Sequence, residues 1–131
     1  MMESPIKKVL VPILFTLAVA VCASPLLADT YVAAYNCELN DGKKMEELQA
    51  ANSTWLKWVR ANVNPNINSE VGTAVVGKLD MFLFVDTYPD LATWAATRTA
   101  IDNDAPAELE GLLNDIAECT ESRLWKIQPT P

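Results

Sequence analysis

The stretch Met81–Trp94, MFLFVDTYPDLATW, changes its hydrophobic period in the middle. Met81 to Thr87 is a β-rich run in which Met81, Leu83 and Val85 point to one side of a strand and Phe82 and Phe84 to the other. Beyond Tyr88, Pro89 and Asp90, the residues Leu91, Trp94, Ala95 and Ile101 begin a helical pattern. The chain holds a looser copy of this strand-to-helix unit. Thr30 to Cys37, TYVAAYNC, reads as a strand, Asn40-Asp41-Gly42 as a turn, and Met45, Leu48, Asn52, Leu56, Val59 and Val63 as one helical stripe with Trp55 on its margin. That helix ends near Asn62, where Asn64-Pro65-Asn66 stops it.

Working outward, Glu70 to Gly77, EVGTAVVG, forms a hairpin with Met81–Thr87 across Lys78, Leu79 and Asp80. Asp102-Asn103-Asp104 interrupts the second helix, and Ala105-Pro106 restarts it with Asp104 as N-cap. Leu109, Leu112, Leu113 and Ile116 supply its apolar stripe. Glu121 to Gln128, ESRLWKIQ, is the last strand, and Pro129–Pro131 is a tail. The order βαββαβ is that of a ferredoxin-like α+β unit: an antiparallel sheet with helices on one face and the first and third strands at its centre.

A sheet with helices on one face should alternate apolar and polar residues along its strands. Here Val32 and Ala34 point one way while Tyr31, Ala33 and Tyr35 point the other, and the third strand is apolar on both sides. The free face therefore needs a cover, either a second subunit in a homodimer or an apolar molecule. A third expectation is an interaction module that meets another protein through this face and is monomeric in isolation.

The 131 residues carry 10 Lys+Arg against 17 Asp+Glu, a net charge of −7, and no His. The missing imidazole excludes Ser-His-Asp and Cys-His nucleophiles and His-ligated zinc or haem. An acidic chain has no counterion-release drive toward phosphate backbones, so nucleic acid is excluded as a partner. Lys7 and Lys8 precede an apolar run, Val9 to Ala23, shorter than the roughly 20 residues a spanning helix needs. This is the layout of a secretory signal peptide. Residues 1–28 are read as signal, cleaved after Ala28 or else after Ala23, and residues 29–131 as one domain in a secreted or periplasmic compartment. An uncleaved anchor and lipidation at Cys22 are the alternatives; Val21 is bulky for a lipidation site. Otherwise the membrane is met only through the signal. Cleavage removes Lys7, Lys8, Glu3 and Cys22, which takes the charge to −8 and leaves Cys37 and Cys119. These sit at adjoining ends of neighbouring antiparallel strands, so an oxidising compartment would join them.

The element order, the acidic and aromatic end of the third strand, and the phrase DTYPDLATWAA at Asp86–Ala96 resemble the dimeric α+β barrel superfamily. That group includes antibiotic-biosynthesis monooxygenase-type, muconolactone isomerase-type, EthD-like, NIPSNAP-like and stress-responsive barrel proteins. The resemblance implies two sheets packed face to face in a dimer, with a small pocket between sheet and helices in each protomer. It assigns no single activity, since this fold hosts many.

The pocket or interface candidates are Tyr35, Asn36, Trp58, Asp86, Tyr88 and Arg98. The resemblance implies pockets of Asn, Trp, Tyr and Arg around an aromatic substrate, as in cofactor-independent oxygenases, although no spacing here matches a specific motif. Trp58 lies about 110° from the centre of its helix stripe, where the core has no need of a large ring. Trp55 and Trp94 read as core, Asp86 as a strand-end or capping group, and Arg98 as a stem over apolar surface or, alternatively, as an ion-pair partner of Asp86 or Asp102. Asp102, Asn103, Asp104, Glu108 and Glu110 lack the glycine and final Glu of an EF-hand loop, so capping and solubility account for them and no metal is expected. Asn52-Ser53-Thr54 is a glycosylation triplet inside a predicted helix. The functional expectation is a small apolar or aromatic ligand bound by the dimer without a cofactor; the alternative is a cofactor-independent monooxygenase- or isomerase-like enzyme using Tyr35, Asn36 and Arg98.

Overall fold

The computed structural model describes residues 29–130. The predicted signal segment, with its cleavage positions and Cys22, lies outside the described residues, as does Pro131. Seven elements follow one another: β1 Thr30–Leu39, α1 Met45–Asn62, β2 Asn68–Thr73, β3 Met81–Tyr88, α2 Leu91–Asp104, α3 Ala107–Ile116 and β4 Ala117–Ile127. The strands form one antiparallel sheet in the order β2-β3-β1-β4, with β1 and β3 central. The expected βαββαβ α+β arrangement is therefore the observed one.

Strand alternation divides the two faces. Ala33 and Cys37 of β1 and Phe82, Phe84, Asp86 and Tyr88 of β3 are buried beneath the helices. Two clusters form there. Cys37, Phe82 and Phe84 meet Leu48, Ala51 and Ile116, while Ala33 and Tyr88 meet Val59 and Ile67. On the opposite face Leu83 is 37% exposed and Trp125 47% exposed. That face is less uniformly apolar than expected, because Asn36 donates to Glu121 (3.0 Å) and Arg123 pairs with Glu121.

α1 begins at Met45, where the Glu47 carboxylate accepts the Lys44 backbone N–H (2.8 Å), and ends at the expected Asn62. The larger departures from the expected boundaries, at β2, at the α2–α3 break and at the start of β4, have local reasons. β2 is Asn68–Thr73, not Glu70–Gly77, because Thr73 pairs with Phe82 and the chain then leaves the sheet. Val75 and Val76 are β-prone but unpaired and almost fully exposed, and Gly77 takes φ +89°. Asp104 is not an N-cap. α2 runs through Asp102–Asp104, helped by the Asn103 side chain donating to the Thr99 carbonyl (2.8 Å). The break falls instead at Ala105, held extended by the following Pro106.

β4 starts at Ala117, directly after α3, rather than at Glu121. The turn after β1 makes this abrupt change possible: the Asn40 side chain donates to the Asn114 and Asp115 carbonyls (3.1 and 3.0 Å), and its backbone N–H to Ile116 (2.8 Å). Cys37 and Cys119 are consequently inside their strands, directly paired and disulfide-bonded. The register shifts beside them, between Asn36 and Cys37, so that Thr120 is the extra residue of a bulge.

Candidate functional site

A cavity of about 660 Å³ opens between the helix side of the sheet and the three helices. Its aromatic wall comes from Tyr35 on β1, Trp55 on α1, and Phe84 and Tyr88 on β3. Thr97, Arg98 and Ile101 of α2 and Leu109 and Leu113 of α3 close the other side. Period-2 alternation puts Phe84, Asp86 and Tyr88 on one face of β3, and Tyr35 pairs with Phe84 across the ladder. Asp86 thus stands in a row between two rings, with a third ring diagonal to it.

Asp86 is only 6% exposed. Its Oδ1 accepts the hydroxyl of Ser69 on β2 (2.5 Å), the residue directly opposite it in the ladder. The Ser69 oxygen in turn accepts from the Asn52 side-chain amide on α1 (2.9 Å). Burial pushes the Asp86 carboxyl up to about 6, and the Ser69 hydrogen bond partly opposes the shift. Burial, aided by the negative charge of Asp86, also raises the Tyr35 and Tyr88 phenols above their ordinary value. Both remain neutral hydrogen-bonding groups at physiological pH, while Arg98 draws each back in part.

Four of the six candidates, Tyr35, Asp86, Tyr88 and Arg98, line this cavity together. Asp86 is not a strand-end cap: it lies inside β3 and faces the cavity. Arg98 pairs with neither Asp86 nor Asp102 among the described residues. Asn36 is on the other face of the sheet, engaged with Glu121, which corrects its grouping with Tyr35 and Arg98. Trp58 packs against the Val59–Tyr88 cluster and does not line the cavity. The half-buried Trp55, expected in the core, does line it.

Sequence reasoning missed Asn52 and Ser69. The signal for Asn52 was present, since it is the one polar member of the α1 apolar stripe. It is buried and bonded to Ser69, which accounts for the Asn-Ser-Thr triplet without glycosylation. Ser69 carried no comparable signal, because its role depends on the β2–β3 register.

No family model matches the chain, and no curated protein matches it in sequence. Solved structures do. SnoaB, a cofactor-independent oxygenase from Streptomyces nogalater, is 12% identical over 79% of this chain and 97% of its own, with a TM-score of 0.59. A conserved protein of unknown function from Bacteroides thetaiotaomicron, described as a possible oxidoreductase, is 14% identical over 76% of this chain and 99% of its own, at TM-score 0.53. An uncharacterised NIPSNAP-like domain protein from Burkholderia xenovorans is 13% identical over 79% and 87%, at TM-score 0.51. At such identities the likeness is one of fold. The chain shares its ferredoxin-like α+β fold with these structures, the fold that the DTYPDLATWAA resemblance implied.

Proposed function

We propose that the domain works outside the cytoplasm as a homodimer that binds a small aromatic molecule between its sheet and helices. One observation carries the binding reading: a cavity of about 660 Å³, within the roughly 300–1,000 Å³ of small-molecule sites, is walled by four aromatic rings and holds a single buried carboxylate. The open sheet face, with Leu83, Trp125 and Ile127 partly exposed, supports pairing with a second copy. The Cys37–Cys119 bond and the amino-terminal pattern support the compartment. Titration calorimetry with the neutral probe 1-naphthalenemethanol tests binding: saturable uptake that Tyr35→Ala and Trp55→Ala weaken is expected. No measurable heat at millimolar concentration from this alcohol, from 1-naphthylmethylammonium or from 1-naphthoate would remove the reading.

A second reading is favoured by the Asp86 carboxyl titrating near 6. A carboxylate so displaced is a stronger base than an ordinary one and could take a proton from an activated C–H, the opening step of a cofactor-independent oxygenase or isomerase. Tyr35 and Tyr88 would then donate hydrogen bonds to the enolate oxygen. Deuterium exchange into 2-tetralone in D2O reads this step alone. Exchange that rises through pH 6 and drops at least about a hundredfold in Asp86→Asn supports it; exchange indifferent to Asp86 refutes it.

A further inference from the structure

Asp86 is a buried carboxylate with one oxygen committed and one free. Oδ1 is held by Ser69, while Oδ2 accepts no hydrogen bond among the described residues. No fully sealed side-chain oxygen or nitrogen in the described residues lacks a partner, so Oδ2 opens into the cavity that Asp86 lines. Nor does a protein cation reach Asp86: none pairs with it among the described residues. Arg98, exposed at the cavity mouth on α2, acts on the Tyr35 and Tyr88 phenols instead. Buried carboxylates are ordinarily paired, because an isolated one is costly to desolvate.

The surroundings say what kind of partner fits. Phe84 and Tyr88 flank Asp86 along β3, Tyr35 is diagonal to it on β1, and Trp55 faces them from α1. Aromatic faces attract organic cations, whereas they repel anions. At the rim, Asp102, Glu110 and Glu118 outnumber the single Arg98, so the field at the mouth draws in positive charge.

We infer that the molecule taken by this pocket is an arylalkyl amine in its protonated form, its ammonium donating to Asp86 Oδ2 between the aromatic rings. The inference rests on the small-molecule reading above. It competes with the proton-abstraction reading, since an ammonium on Oδ2 occupies the base.

Three probes of one shape separate the outcomes by calorimetry on the disulfide-intact protein: 1-naphthylmethylammonium, 1-naphthalenemethanol and 1-naphthoate. The ammonium should bind at least about tenfold tighter than the alcohol, as a charge-assisted bond replaces a neutral one, and the carboxylate weakest. Asp86→Asn should bring ammonium and alcohol to within about twofold of each other. The ranking on the unaltered protein decides the matter even if that variant fails to fold. Alcohol or naphthoate binding as tightly as the ammonium would overturn the amine assignment and leave the pocket reading standing. Binding of none of the three would overturn both.

Discussion

Ser69 on β2 donates its single hydroxyl proton to Asp86 on β3 at 2.5 Å, the nearer of two acceptors in reach, while its oxygen accepts from the Asn52 amide on α1. Three elements thereby fix one carboxylate. An edge strand and a helix decide how the one buried carboxyl lining the cavity is aimed, and the bond from the strand partly offsets the effect of burial on its titration.

Burial nonetheless makes Asp86 a cost to the empty protein. Its carboxyl titrates near 6 when folded and near 3.8 when free, so between these values the folded chain holds a proton that the unfolded chain has released. Stability falls as pH rises through this window, and the deficit is complete above pH 6. Asp86→Asn keeps an oxygen for Ser69 and should stabilise the ligand-free protein by about 1–3 kcal/mol at pH 8, with little effect at pH 4. Urea unfolding at the two pH values measures the difference.

Removing the donor should move the same titration further. Ser69→Ala leaves Asp86 buried without its hydrogen bond, and its carboxyl should rise by about one to two pH units, the scale of a lost charge-assisted bond. Carbon-13 NMR of the Asp86 carboxyl follows it directly. An unchanged midpoint would show that Ser69 has no hold on the acid.

The disulfide joins central β1 to edge β4 across 82 positions of sequence. Cys37→Ala combined with Cys119→Ala should cost about 2–5 kcal/mol in urea unfolding, and reduction of the unaltered protein should cost the same. β4 buries only Ala117, so its outer half should be the first backbone to lose hydrogen-exchange protection.

Dimerisation can be tested on the face the helices leave open. Leu83 is 37% exposed at the centre of β3, where a charge can be placed without emptying the core. Light scattering should find twice the chain mass for the unaltered protein and a single chain mass for Leu83→Glu, with unchanged circular dichroism. An unaltered protein that is already a monomer would leave the interaction-module alternative for this face.

Much of the fold was readable because it follows from short-range period. A 3.6-residue recurrence sets α1 to its last residue, and alternation puts Tyr35 and Asn36 on opposite sides of β1. The element order and the cysteine positions then constrained the sheet to bring Cys37 beside Cys119. The sequence also ruled out histidine chemistry with no structure needed.

What only the tertiary structure decided depends on distances between elements. Periodicity ranks Trp55 as core and Trp58 as available; both pack against the Val59–Tyr88 cluster, and it is Trp55 that also lines the cavity. Asp86 looked like a strand-end acid because an isolated strand has no burial; only the stacking of α1 and α2 over β3 removes its water and raises its carboxyl. Ser69 matters through a one-residue choice of β2 register, which the sequence does not encode locally because Val75 and Val76 extend the β-prone run past the point where pairing ends. Local propensity names the elements, but a site is made where they approach one another, and that geometry belongs to the packed chain.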